Sequence, residues 1–107
     1  INGDSQVIIY GLSNAGKALA STLSGMGISI KGIIDRAAAE GASWKTIPVV
    51  GMQDCTFDRN FPIIVTPLEE AEKIKNDLFN NGWQKMISIK ELIDDELLLR
   101  RIKEIEH

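Results

Sequence analysis

The chain has 107 residues, 44% of them hydrophobic and 25% charged, with a net charge of −3. That is enough for one domain with a core of its own, and too acidic overall for a nucleic-acid backbone or an anionic membrane surface to be the main partner. No apolar run approaches the roughly 20 residues of a membrane helix. The single Cys55 and single His107 leave no zinc cluster and no Ser-His-Asp or Cys-His machinery, and the lone thiol suits a reducing cytoplasm.

Short apolar strands alternate with helical patterns, which predicts an α/β domain with a parallel sheet. Val7–Tyr10, "VIIY", is continuous β-former sequence of the kind covered on both faces. Gly11 ends it. From Asn14 to Met26, Ala15, Ala18, Leu19, Thr22, Leu23 and Met26 fall at helical spacing, with Gly25 and Gly27 as the stop. Ile28–Asp35, "ISIKGIID", reads as a second strand ending in an acid. Residues 36–46 read as loop with at most a helical turn. Ile47–Val50 reads as a short third strand, with Pro48 suited to an edge position.

Phe61–Thr66, "FPIIVT", is the fourth predicted strand. Thr66 as N-cap, Pro67 at the first helical position and Glu69 closing a capping box predict a helix from there. Its buried face would be Leu68, Ala71, Ile74 and Leu78, and it would end near Asn81-Gly82. Met86–Ile89 is a brief fifth strand, Ser88 with Glu91 suggests another cap, and Asp94–Glu106 has a helical pattern. Right-handed crossovers give a three-layer, doubly wound (Rossmann-like) sheet of about five strands in the order 3-2-1-4-5, its switch point between the first and fourth.

The segment "VIIYGLSNAGKALA" carries two incomplete nucleotide-binding signatures. Gly11, Ser13 and Gly16 form a G-x-G-x-x-G loop with its middle glycine replaced; Gly11–Lys17 forms a G-x-x-x-x-G-K loop followed by Ala18. The second reading fails at Ala18, which has no hydroxyl for magnesium. The first fits a strand–loop–helix turn whose backbone N–H groups at Asn14, Ala15 and Gly16 face an anion. Ser13 narrows the approach but brings a hydroxyl, and Lys17 brings charge. Asp35 lies 19 residues beyond Gly16, near the spacing of about 20 at which an acid meets the ribose hydroxyls. Arg36 beside it would accommodate a 2′-phosphate that Asp35 repels, so NAD is favoured over NADP. Thr66 faces the loop across the switch point and can touch the ligand. Trp44 is a weaker candidate, for stacking on a base.

Together, "VIIYGLSNAGKALASTL", "IKGIID", "IPVVG", "PIIVTP" and "MISIKELI" resemble the Rossmann-like domains at the front of bacterial polysaccharide-biosynthesis proteins. These are the nucleotide-sugar dehydratase/epimerase group, with relatives attached to sugar acyltransferases and some methyltransferases. The resemblance runs from Gln6 to about Ile93. It implies an NAD(P)- or nucleotide-sugar-binding module, with the loop role on Gly11, Ser13 and Gly16 and the ribose role on Asp35. Arg36 and an alanine run stand where the family carries further acids or Asn, and the loop has no histidine of the acyltransferase kind.

No Tyr-x-x-x-Lys pair and no substrate domain are present in the sequence, so hydride transfer by this segment alone is not expected. The reading is of a single domain, 1–107, belonging to a larger cytoplasmic sugar- or polysaccharide-modifying enzyme as its nucleotide-binding accessory or regulatory part. It would bind a nucleotide or nucleotide-sugar, with no metal, and would be joined to a catalytic domain or self-associate. The alternative is a degenerate scaffold that dimerises or docks without ligand.

Overall fold

The computed structural model describes residues 6–89. The elements run β1 (Gln6–Tyr10), α1 (Asn14–Gly25), β2 (Ser29–Ile34), β3 (Ser43–Trp44), β4 (Ile47–Val50), a 3-10 turn (Met52–Asp54), β5 (Ile63–Val65), α2 (Ala71–Asn80) and β6 (Met86–Ser88). They form one six-stranded sheet in the order β3-β4-β2-β1-β5-β6. All neighbours pair in parallel except β3 and β4.

The alternation of β1 explains its unbroken apolar sequence. Val7 and Ile9 pack with Leu23 and Ala20 of α1 and its C-cap Met26, whereas Ile8 and Tyr10 pack with Ala71, Ile74 and Leu78 of α2. With a helix on each face, every side chain of the strand needs to be apolar. Both helices end on a left-handed glycine. Gly27 has φ +83° and Gly82 has φ +94°. Beyond them Ile28 N donates to Leu23 O and Trp83 N to Leu78 O, each at 3.0 Å, which satisfies carbonyls the last helical turn leaves open.

The observed strand order differs from the five-stranded order expected, because a sixth strand, antiparallel, lies outside β4. This is β3, within the stretch expected to be loop. Its hairpin turn is Lys45-Thr46, both at positive φ (49° and 69°), as a two-residue type I′ turn requires. Such turns are ordinarily announced by Asn-Gly or Asp-Gly, and neither residue here is a turn former. Consequently β4 is not an edge, and Pro48 is not an edge proline. It is accommodated because the β2 ladder with β4 involves only Ile33–Val49 and Ile34–Val50, so Pro48 has no ladder bond to donate there.

The second helix is also corrected. It begins at Ala71, after Glu70 in the cap position with no side-chain cap bond, not at Pro67. Thr66 is buried and held at the sheet, where its hydroxyl donates to Tyr10 O at 2.8 Å, and the helix starts five residues later. With Leu68 outside the helix, that side chain is 61% exposed instead of buried. The expected Ser88–Glu91 cap and the helix over 94–106 lie outside the described residues.

The connection from β4 to β5 covers the α2 side of β2 with no α-helix, only the 3-10 turn. Phe57 lies against Gly32, so closely that a Cβ there would come within 2.1 Å of the ring. Arg59 fastens the far end. Its guanidinium donates to Phe57 O at 2.7 Å and to Asn81 O at 3.0 Å, and sits 5.1 Å from the centre of the buried Trp83 ring. A cation on the last carbonyls of α2 is also placed as the helix dipole prefers.

Candidate functional site

Gly11 leaves β1 at φ +100° and donates its amide to Ile34 O at 2.8 Å. A Cβ on Gly11 would stand 2.7 Å from Thr66 Oγ1, and one on Gly16 only 2.0 Å from Gly11 O. The two glycines therefore let strand end, helix start and Thr66 close on one another. The close approach expected for a ligand is, in this part of the loop, an approach of the protein to itself.

Ser13 is the N-cap of α1. Its Oγ accepts from Gly16 N at 3.3 Å, and its carbonyl accepts from Lys17 N at 2.9 Å. Of the amides expected to face an anion, that of Gly16 is thus already engaged. Those of Asn14 and Ala15 precede the first intrahelical bond and have no acceptor behind them in the helix. Ser13, Asn14, Ala15 and Lys17 are exposed, and the first turn contains no acid. Glu70 and Glu72, by contrast, stand at the start of α2, where acids compensate the partial positive charge of the helix dipole.

Asp35 is brought to the loop. Its Oδ2 accepts from Leu12 N at 2.7 Å and its Oδ1 from Ala37 N at 2.8 Å. One carboxylate thus ties the β1–α1 loop to the end of β2. Each oxygen retains a second lone pair, and the residue is half-exposed.

Arg36 turns away from the loop. Its Nη2 lies 3.0 Å from Glu70 Oε2, with both side chains largely in solvent. Its pKa is raised, first by the hydrogen bond to Glu70 and next by one to Tyr10. Thr66 comes to the loop as expected, but its hydroxyl is spent on Tyr10 O and lies 3.3 Å from Gly11 O. Trp44 lies on the outermost strand of the sheet. It sits in β3, packs on the Ile9–Ile33–Val49 cluster and carries Lys45 Nζ at 4.9 Å from its ring centre.

Two adjoining cavities open at the carboxyl ends of β1, β2 and β4. One, of about 430 Å3, is lined by Tyr10, Arg36, Gln53, Asp54, Lys73 and Asp77 among others. The other, of about 540 Å3, is walled by small residues, Ala38, Ala39, Gly41 and Gly51, with Glu40 and Asp54. They share Ala38, Gly51 and Asp54. Neither is lined by a residue of the Gly11–Lys17 loop. Sequence reasoning did not single out Lys73, Asp54 or Glu70 as site residues, because only the folded sheet brings α2 and the loop after β4 beside Arg36.

The class defined by fold and site is an α/β domain with a six-stranded, mostly parallel sheet and a polar crevice at its strand ends. Among the described residues no helix is long and apolar enough to cross a membrane. Comparison of the chain with family models, curated proteins and solved structures gives no match.

Proposed function

We propose that the chain is a Rossmann-like, NAD(P)- or nucleotide-binding domain that serves a sugar- or polysaccharide-modifying enzyme in an accessory or regulatory role and is not catalytic alone. The observation that carries this reading is the 2.7 Å bond between Leu12 N and Asp35 Oδ2. It joins the strand–helix loop to the acid at the end of the neighbouring strand, the two groups that in this architecture hold diphosphate and ribose. The exposed, acid-free first turn of α1 adds a place for the phosphates at the amides of Asn14 and Ala15, with Lys17 alongside. The crevice at the strand ends, beside Tyr10 and Arg36, adds room for the rest of the nucleotide. NAD is the favoured cofactor, since Asp35 opposes a phosphate on the ribose.

Calorimetric titration with NAD, NADP, ADP and UDP-sugars tests the proposal. Saturable heat from at least one of them is expected, and no heat from any at millimolar concentration would overturn it. The alternative, a scaffold that dimerises or docks without ligand, has its own support. The polar groups of Ser13, Asp35 and Thr66 are all engaged within the chain. Under that reading light scattering finds a stable oligomer and titration finds no ligand.

A further inference from the structure

Arg36 follows β2, and Glu70 stands just before α2, beyond β5. In the sheet β1 lies between β2 and β5, so the ion pair reaches over two strand spacings, about 10 Å. It crosses the carboxyl end of β1, where Tyr10 is the last residue, and its Arg36 lines a cavity together with Tyr10. The guanidinium is drawn toward Glu70, while Asp35, one residue earlier, stays on the Leu12 and Ala37 amides. Two neighbouring residues with opposite charges are therefore held in opposite directions.

We infer that Glu70 is a specificity-determining residue: it occupies Arg36 as an internal counter-anion and so selects a nucleotide whose ribose carries no 2′-phosphate. The inference rests on the nucleotide-binding reading and deepens it. A 2′-phosphate on a ribose held by Asp35 would need Arg36 as its partner, because Asp35 repels it and the guanidinium offers a paired set of donors suited to phosphate. To reach it, the phosphate must displace Glu70. An exposed pair of this kind is worth about a two- to five-fold change in an equilibrium. Glu70 also contributes its own repulsion toward the phosphate. An unphosphorylated ribose makes no such demand and leaves the ion pair intact.

The test is calorimetric titration of NAD and NADP into the wild type, Glu70→Gln, and the double variant Arg36→Gln/Glu70→Gln. Both side chains are solvent-exposed, and circular dichroism verifies that the variants keep the fold. The wild type is expected to bind NAD in preference to NADP. Glu70→Gln is expected to tighten NADP about two- to five-fold while leaving NAD within a factor of two, and the double variant to lose that gain. If Glu70→Gln moves both cofactors together or neither, if the gain survives loss of Arg36, or if the wild type prefers NADP, the inference is wrong. In those cases the nucleotide reading still stands on the binding itself. If no form binds either cofactor at millimolar concentration, the inference falls, while the nucleotide reading is overturned only if ADP and the UDP-sugars also give no heat.

Discussion

At the scale of single residues, the contacts around the β1–α1 loop make strong demands. Gly16 has no room for a methyl group, since the atom it would meet at 2.0 Å is a backbone carbonyl that cannot swing aside. Gly16→Ala should therefore destabilise the domain by about 3 kcal/mol, at the upper end of overpacking costs, read as a lower denaturation midpoint in urea. Thr66→Val keeps the shape but removes the hydroxyl that donates to Tyr10 O. Because that carbonyl also accepts from Thr66 N at 3.1 Å, the loss should be near 1 kcal/mol, not the larger cost of an orphaned group. Thr66→Ser, measured in the same way, should cost less. These positions also show how far residue types could be read from sequence. The glycines at 11 and 16 and the acid at 35 announced a loop and its neighbour. They did not announce that Thr66 would fill the space beside Gly11, because that contact spans 55 residues of chain. The Arg36–Glu70 pair, 34 residues apart, was hidden for the same reason: charge partners at such separation are chosen by sheet order.

Among the elements, α1 was legible because its apolar spacing and its glycine stop agree with each other, and β1 because a strand buried on both faces can carry nothing but apolar residues. The start of α2 was not. Thr66, Pro67 and Glu69 spell a capping box, yet Thr66 is held at the sheet by its bond to the Tyr10 carbonyl and the helix begins only at Ala71. Strand β3 was invisible because Lys45-Thr46 adopts the left-handed turn without glycine or asparagine. The cap of α1 links stability to binding. Ser13→Gly should lower stability by only a few tenths of a kcal/mol, as glycine is a tolerated N-cap. It should also release the Gly16 amide and tighten nucleotide binding, whereas a scaffold without ligand would show the stability change alone. The segment between β4 and β5 offers a second test. Gly32→Ala and Phe57→Ala should each destabilise, the first by pushing the ring away and the second by uncovering β2. Their combination should cost at least about 0.5 kcal/mol less than the sum, the signature of direct contact in a double-mutant cycle.

For the molecule as a whole, the sheet arrangement sets where a ligand can lie. The carboxyl ends of β1, β2 and β4 converge on one side of the sheet, where Tyr10 and Arg36 line the crevice and Asp35 ties the β1–α1 loop to the end of β2. Parallel strands make this convergence automatic, since each leaves the sheet at the same edge. The central claim is that a nucleotide diphosphate sits on the start of α1 while its ribose meets Asp35. The most direct measurement is amide proton–nitrogen NMR of the isotopically labelled chain during titration with NAD. The account predicts saturable shifts concentrated at Leu12, Asn14, Ala15 and Ala37. If those amides stay unmoved at millimolar NAD, or if the shifts gather only on residues distant from the end of β1, the claim is contradicted.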